Sequence, residues 1–93
     1  MNNIDHHHQL SKIRYHCWRR GMKEMDLILG RFADRYLEAM DQSALRIFKS
    51  LLLRNDQELL ALLTTDAPPP ENDSHHELLL EIRAFIKAGG AVI

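Results

Sequence analysis

The apolar residues Met25, Ile28, Leu29, Phe32, Tyr36 and Met40 recur at three- and four-residue steps. That spacing lines side chains along one face of an α-helix. The same period returns in Leu45, Phe48, Leu51 and Leu52, and again in Leu78, Leu79, Ile82, Phe85 and Ile86. No stretch alternates apolar and polar residues for long enough to demand a strand. At 93 residues the chain has room for one small domain and little surplus surface to bury. Its apolar fraction of 45% argues for a folded chain rather than wholesale disorder. The expectation is an all-α fold, a small bundle of five short helices in one domain.

Punctuation sets the boundaries. Residues 1–9 are polar and read as a flexible N-terminal tail, and residues 10–66 form the helical core. Lys12 to Arg20 read as the first helix, with Ser11 as a cap near its start and Leu10 extending it. Ile13, His16 and Cys17 share a face there, with Tyr15 and Trp18 beside it. Gly30 weakens the second helix by about 1 kcal/mol relative to alanine, a cost that close packing by a neighbour would explain. Asp41 caps a third helix, and Asn55-Asp56 precedes a short fourth one carrying Leu59, Leu60, Leu62 and Leu63. Residues 67–73 form a linker stiffened by Pro68-Pro69-Pro70. The C-terminal helix and tail occupy residues 74–93. A capping box of Ser74 and Glu77 opens that helix, and Gly89-Gly90 ends it.

Composition removes several function classes. The 12 basic residues nearly balance the 13 acidic ones, for a formal charge of −1, so nothing in the total points to nucleic acid or an anionic membrane. Any electrostatic function must come from local arrangement. Cys17 is the single cysteine, which excludes an intramolecular disulfide and a secreted, stapled scaffold. The apolar runs are far too short to span a membrane. The N-terminus lacks a basic region followed by an apolar core, has no arginine before Arg14 and carries Asp5. The chain therefore reads as cytoplasmic, or as a processed mitochondrial form.

Catalytic and cofactor chemistry find little footing. There is no Gly-x-Gly-x-x-Gly following a strand, and Gly89-Gly90 follows a helix, the wrong context for a phosphate cradle. His6-His7-His8 lie in the expected tail and do not preorganise a metal site. His75-His76 read as surface residues of the last helix, and His16 as a packed or hydrogen-bonded one. Arg19 and Arg20 stand near Cys17 and in principle lower its pKa, but no base or oxyanion site accompanies it, so it reads as a packed thiol. Met22, Met25 and Met40 read as adaptable core or interface filler.

The densest local chemistry is Arg19-Arg20-Gly21-Met22-Lys23-Glu24-Met25-Asp26, at the junction of the first two helical patterns. Arg20 and Glu24 are four residues apart and project from one face if the helical path runs through the glycine. Gly21 leaves a gap between them where a partner's backbone can approach. Read from spacing alone, Gly21 equally serves to end or bend a helix, Glu24 to favour a helix N-terminus, and Arg20 to sit solvated.

The segment resembles the Arg-Gly-x-x-Glu signature of the small succinate dehydrogenase assembly factors, which promote covalent attachment of FAD to flavoprotein subunits. Leu27-Ile28-Leu29-Gly30-Arg31-Phe32, then Arg46-Ile47-Phe48 with Leu51-Leu52, then Asp56-x-x-Leu59 follow the family's order and spacing. The likeness covers residues 13 to 64. It implies a non-enzymatic, bacterial factor that binds the flavoprotein subunit of succinate dehydrogenase or fumarate reductase. The signature falls on Arg20, Gly21 and Glu24, with Met22, Lys23 and Asp26 as neighbours at the contact. It implies that no cofactor is stably held here and that FAD belongs to the partner. Trp18 and Leu62 depart from the family's usual residues, at the rim of the docking face and in the fourth helix. The rival readings are an antitoxin-like regulatory interaction protein and a helix-turn-helix DNA binder using Arg14, Arg19, Arg20, Lys23 and Arg31. Glu24, Asp26 and Asp34 disfavour the second, because they would meet the phosphates too.

Overall fold

Gly21 breaks the helical path and folds the first two helices back on each other. In the computed structural model, which describes residues 3–92, α1 spans Asn3–Trp18 and α2 spans Lys23–Tyr36. Trp18 sits against Gly30 and Asp34, while Arg14, one turn earlier, reaches Asp34 and Glu38. Position falls along α1 as it rises along α2, so the two run antiparallel. A short 3-10 turn, Leu37–Ala39, leads to α3 (Gln42–Leu51), α4 (Asp56–Thr64) and α5 (His76–Lys87). The expected five-helix, all-α architecture is what forms, with no strand among the described residues.

The buried faces follow the stripes of the sequence, except that Tyr36 is exposed and Met40 lies beyond α2, half-buried. Leu10, Ile13 and Cys17 of α1 meet Met25, Ile28, Leu29 and Phe32 of α2. Leu45, Phe48 and Leu51 of α3, Leu59 and Leu63 of α4, and Leu79 and Ile82 of α5 complete the core. The Phe32 ring lies 5.9 Å from Phe48 and 5.5 Å from Phe85, so one aromatic cluster joins α2, α3 and α5. Burial pushes the Cys17 thiol up to about 12, which leaves it protonated and unreactive in the folded chain.

Gly30 has the packing reason its position demands. A Cβ there would run into the Trp18 indole, whose Nε1–H donates to the Asp34 carboxylate at 3.2 Å. Trp18 is therefore seated on the glycine.

Several boundaries differ from expectation. Residues 3–9, expected as flexible tail, form the first turns of α1, while residues 1 and 2 lie outside the described residues. Nothing from Asn3 to Trp18 breaks a helix. Extension from a packed segment gains one hydrogen bond per residue fixed, and Asp5 in the first turn complements the helix dipole. Ser11 consequently lies inside α1 and caps nothing. His16 is exposed rather than packed, edge-on to Tyr15, because the buried stripe runs through Leu10, Ile13 and Cys17.

The caps divide in the same way. Asp41 accepts the Ala44 N–H at 2.8 Å, as its position before α3 predicts, a bond worth about 1 kcal/mol. Asn55 caps α4 by accepting from Gln57 and Glu58. The Ser74–Glu77 box does not form: His75 occupies the N-cap position without a side-chain cap bond. A turn closed by the Asp73 N–H on the Pro70 carbonyl shifts the entry, and Asp73 accepts the His75 N–H at 2.8 Å. That turn also means the proline segment is not extended throughout, and Pro69 is buried. Arg83 fastens the segment by donating to the carbonyls of Ala67 and Thr65. At the far end of α5, Gly89 takes φ +86 and the N–H groups of Gly89 and Gly90 return to Ile86 and Phe85. This is the glycine-terminated cap that Gly89-Gly90 predicts.

Candidate functional site

The turn between α1 and α2 is held from two sides. Gly21 has φ +95, a conformation strained for any residue with a Cβ. Behind it, the Asp26 carboxylate reaches back from the first turns of α2 and accepts the Arg20 N–H at 2.6 Å. Because α1 stops at Trp18, Arg20 does not continue a helix toward Glu24. Its side chain turns inward to the α3–α4 connection instead, which corrects the expectation that the two project from one face.

Arg20 is the structural joint of the site. Its Nε donates to Asp56 Oδ1 at 2.6 Å, Nη1 to the Leu52 carbonyl at 2.5 Å and Nη2 to the Arg54 carbonyl at 2.9 Å. The two carbonyls belong to the turn leaving α3, where helix geometry provides no donors. The guanidinium fork suits this mixed task of carboxylate and carbonyl recognition. Its side chain is only 10% exposed, so Arg20 shapes the turn from behind rather than presenting its charge to a partner.

A second arginine extends the brace. Arg54 forms a two-pronged pair with Asp73 at 2.8 and 3.0 Å, and reaches Glu58 at 3.2 Å. It also donates to His75 Nδ1 at 2.9 Å. With Nδ1 accepting, the His75 proton sits on Nε2, which donates to Ser50 Oγ at 2.8 Å, and Ser50 in turn donates to the Ile47 carbonyl. His75 is therefore buried and fully bonded, not the surface residue its sequence position suggests. Burial, and then the neighbouring Arg54 charge, lowers its pKa. The Arg54 hydrogen bonds in turn hold the Asp73 carboxyl below its usual range. The α1–α2 turn, the α3–α4 turn and the start of α5 are thus linked in series through Arg20 and Arg54.

In front of the brace, Gly21, Lys23 and Glu24 are exposed, and Met22 is half-buried against the core. Apart from its two chain neighbours, nothing among the described residues lies within 4 Å of where a Gly21 Cβ would be. Glu24 and Lys23 make no hydrogen bond or ion pair among the described residues. Of the six residues singled out in the sequence, Gly21, Met22, Lys23 and Glu24 form a surface, and Arg20 and Asp26 work beneath it. Asp56 is the partner that sequence reasoning missed. Its signal was present, since Asp56-x-x-Leu59 belongs to the pattern that carries the resemblance, but no local rule ties it to Arg20.

Two of the five cations of the alternative DNA surface are engaged inside the fold. Arg14 is paired with Asp34 at 3.1 Å, and Arg20 with Asp56. No group of three or more metal-ligating side chains converges among the described residues, and no buried side-chain nitrogen or oxygen there lacks a partner.

A small helical bundle with an internally braced, charge-bearing turn fits the class of succinate dehydrogenase assembly factors. The sequence matches the family described as the flavinator of succinate dehydrogenase over residues 11–86, and the chain belongs to that family. Membership supports a role in succinate dehydrogenase flavinylation. No curated protein and no solved structure matches the chain. Among the described residues, no helix is long and apolar enough to cross a membrane.

Proposed function

We propose that this chain binds the flavoprotein subunit of succinate dehydrogenase, or of the related fumarate reductase, and promotes its covalent FAD attachment without itself catalysing bond formation. Gly21, Met22, Lys23 and Glu24 make the contact, and Arg20 and Asp26 fix its shape. The observation that carries this reading is the pairing of an open glycine surface with an exposed, unpaired carboxylate on a turn braced from within. Preorganisation of that kind lowers the ordering cost of association.

FAD belongs to the partner in this account. The interior is filled by the chain's own apolar side chains, and among the described residues no buried side-chain polar atom is left without a partner for a flavin to satisfy. Docking would favour a flavoprotein conformation in which the partner's own histidine could become covalently linked to its FAD. The covalent chemistry is assisted by groups on the partner.

The test is in-gel flavin fluorescence of denatured flavoprotein from cells with and without this protein. Fluorescence that depends on the protein supports the proposal, and equal fluorescence in both removes it.

A further inference from the structure

Beside the Gly21 turn, α1 and the α3–α4 connection enclose an open cleft. Its floor is Ile13 and Leu52, its rim is Leu53, and Lys12, Arg19 and Lys49 stand around it. The other charged groups lining it cancel internally: Arg20 is paired with Asp56, and Arg54 with Asp73 and Glu58. Lys12, Arg19 and Lys49 have no carboxylate partner among the described residues, and Arg19 lies over the Tyr15 ring at 4.8 Å. The chain as a whole carries a formal charge of −1, so this is a local concentration of uncompensated positive charge. Leu53 is 88% exposed on the rim, an apolar side chain left in water where the chain had many polar alternatives.

We propose that this cleft is the second half of the docking surface and receives an acidic segment of the client flavoprotein, with an apolar side chain of that segment packed on Leu53. The proposal rests on the docking reading above. Two features of the cleft favour this occupant. The three unpaired cations call for carboxylates, and the apolar floor and rim call for a side chain that nucleic acid phosphates do not supply. The cleft is also continuous with the motif face. Arg19 is two residues from Gly21, and the cleft's far wall is the connection that Arg20 fastens to the turn. Arg19 and Arg20, which precede Gly21 in the chain, both line the cleft.

Charges at the rim of an interface act mainly on the association rate and its salt dependence. The test is stopped-flow binding of the full chain to the flavoprotein subunit, comparing wild type, Lys12→Glu/Lys49→Glu and a control, Arg35→Glu/Lys87→Glu. The control changes net charge equally outside the cleft. Neither lysine in the cleft makes an ion pair among the described residues, so unchanged melting is expected for the double variant. Its association should be slowed about tenfold or more at low salt, the gap narrowing as salt is raised, while the control associates at nearly the wild-type rate. Leu53→Ser should instead accelerate dissociation with association little changed. If wild type binds and the cleft variant matches it in rate and salt dependence, the cleft is not part of the interface. If cleft variant and control slow equally, the effect is one of net charge and the proposal falls. Failure of wild type itself to bind would overturn the docking reading and this inference with it.

Discussion

Removing the Arg20 side chain should damage the fold itself, not merely a surface. The guanidinium makes three internal hydrogen-bonding contacts, to Asp56 and to the carbonyls of Leu52 and Arg54. Each hydrogen bond to a charged group contributes about 1.5–3 kcal/mol, though such contributions do not add. Breaking a fully buried ion pair costs about 3–5 kcal/mol because the survivor is left unpaired. Here Asp56 keeps 21% of its side-chain exposure and recovers some hydration, so Arg20→Ala should destabilise by about 2–4 kcal/mol. A domain this size has roughly 5–14 kcal/mol in total, and each kcal/mol shifts Tm by about 4–8 °C. Thermal and urea unfolding followed by circular dichroism should therefore show a fall of at least about 8 °C. Arg20→Lys keeps the charge but loses the fork and should fall between the two. Asp56→Asn combined with Arg20→Ala should show a coupling of about 1 kcal/mol or more. A solvated arginine would cost less than about 0.5 kcal/mol, so a Tm within about 2 °C of wild type for Arg20→Ala would refute the brace.

Three further outcomes are expected. Gly30→Ala should lower stability despite gaining about 1 kcal/mol of helix propensity, because its Cβ would enter the Trp18 ring; a raised Tm would contradict that packing. Gly21→Ala should cost about 1–2 kcal/mol through its positive φ alone. Gly21→Asn should cost less, since asparagine tolerates that region better, and equal losses in urea unfolding would argue against backbone strain. His75 is held neutral by burial and by Arg54, so its contribution to stability is complete above the ordinary value of 6.5 and is lost as pH falls below it. Urea midpoints should drop from about pH 7 to about pH 5, and His75→Gln should flatten that drop.

What was legible in the sequence was whatever depends on neighbours along the chain. The stripe from Met25 to Phe32, the Asp41 cap, the glycine stop after α5 and the need for a close neighbour at Gly30 all follow from spacing and local conformation. The directions of long side chains were not legible. Arg20 read as half of an i,i+4 pair with Glu24, but its partners are 32 to 36 residues away, and only the packed turn brings them together. His75 read as exposed because its immediate surroundings are polar; Ser50 and Arg54 bury and bond it from another part of the chain. The Ser74 box failed for a related reason, since the Pro70–Asp73 turn sets the entry to α5 and leaves Asp73 in the bonding position. The early start of α1 was missed because propensity weighs each residue alone, whereas a helix packed through Leu10, Ile13 and Cys17 extends cooperatively.

Glu24 is exposed and makes no hydrogen bond or ion pair among the described residues. Calorimetric titration of the flavoprotein subunit with wild type and Glu24→Ala, alongside thermal melts of both, separates interface from scaffold. Stability should change by less than about 0.5 kcal/mol. Loss of one partner from a desolvated, hydrogen-bonded charge pair costs about 2–5 kcal/mol, so affinity should fall by at least about thirtyfold. Unchanged affinity for the flavoprotein would remove Glu24 from the interface and contradict the account.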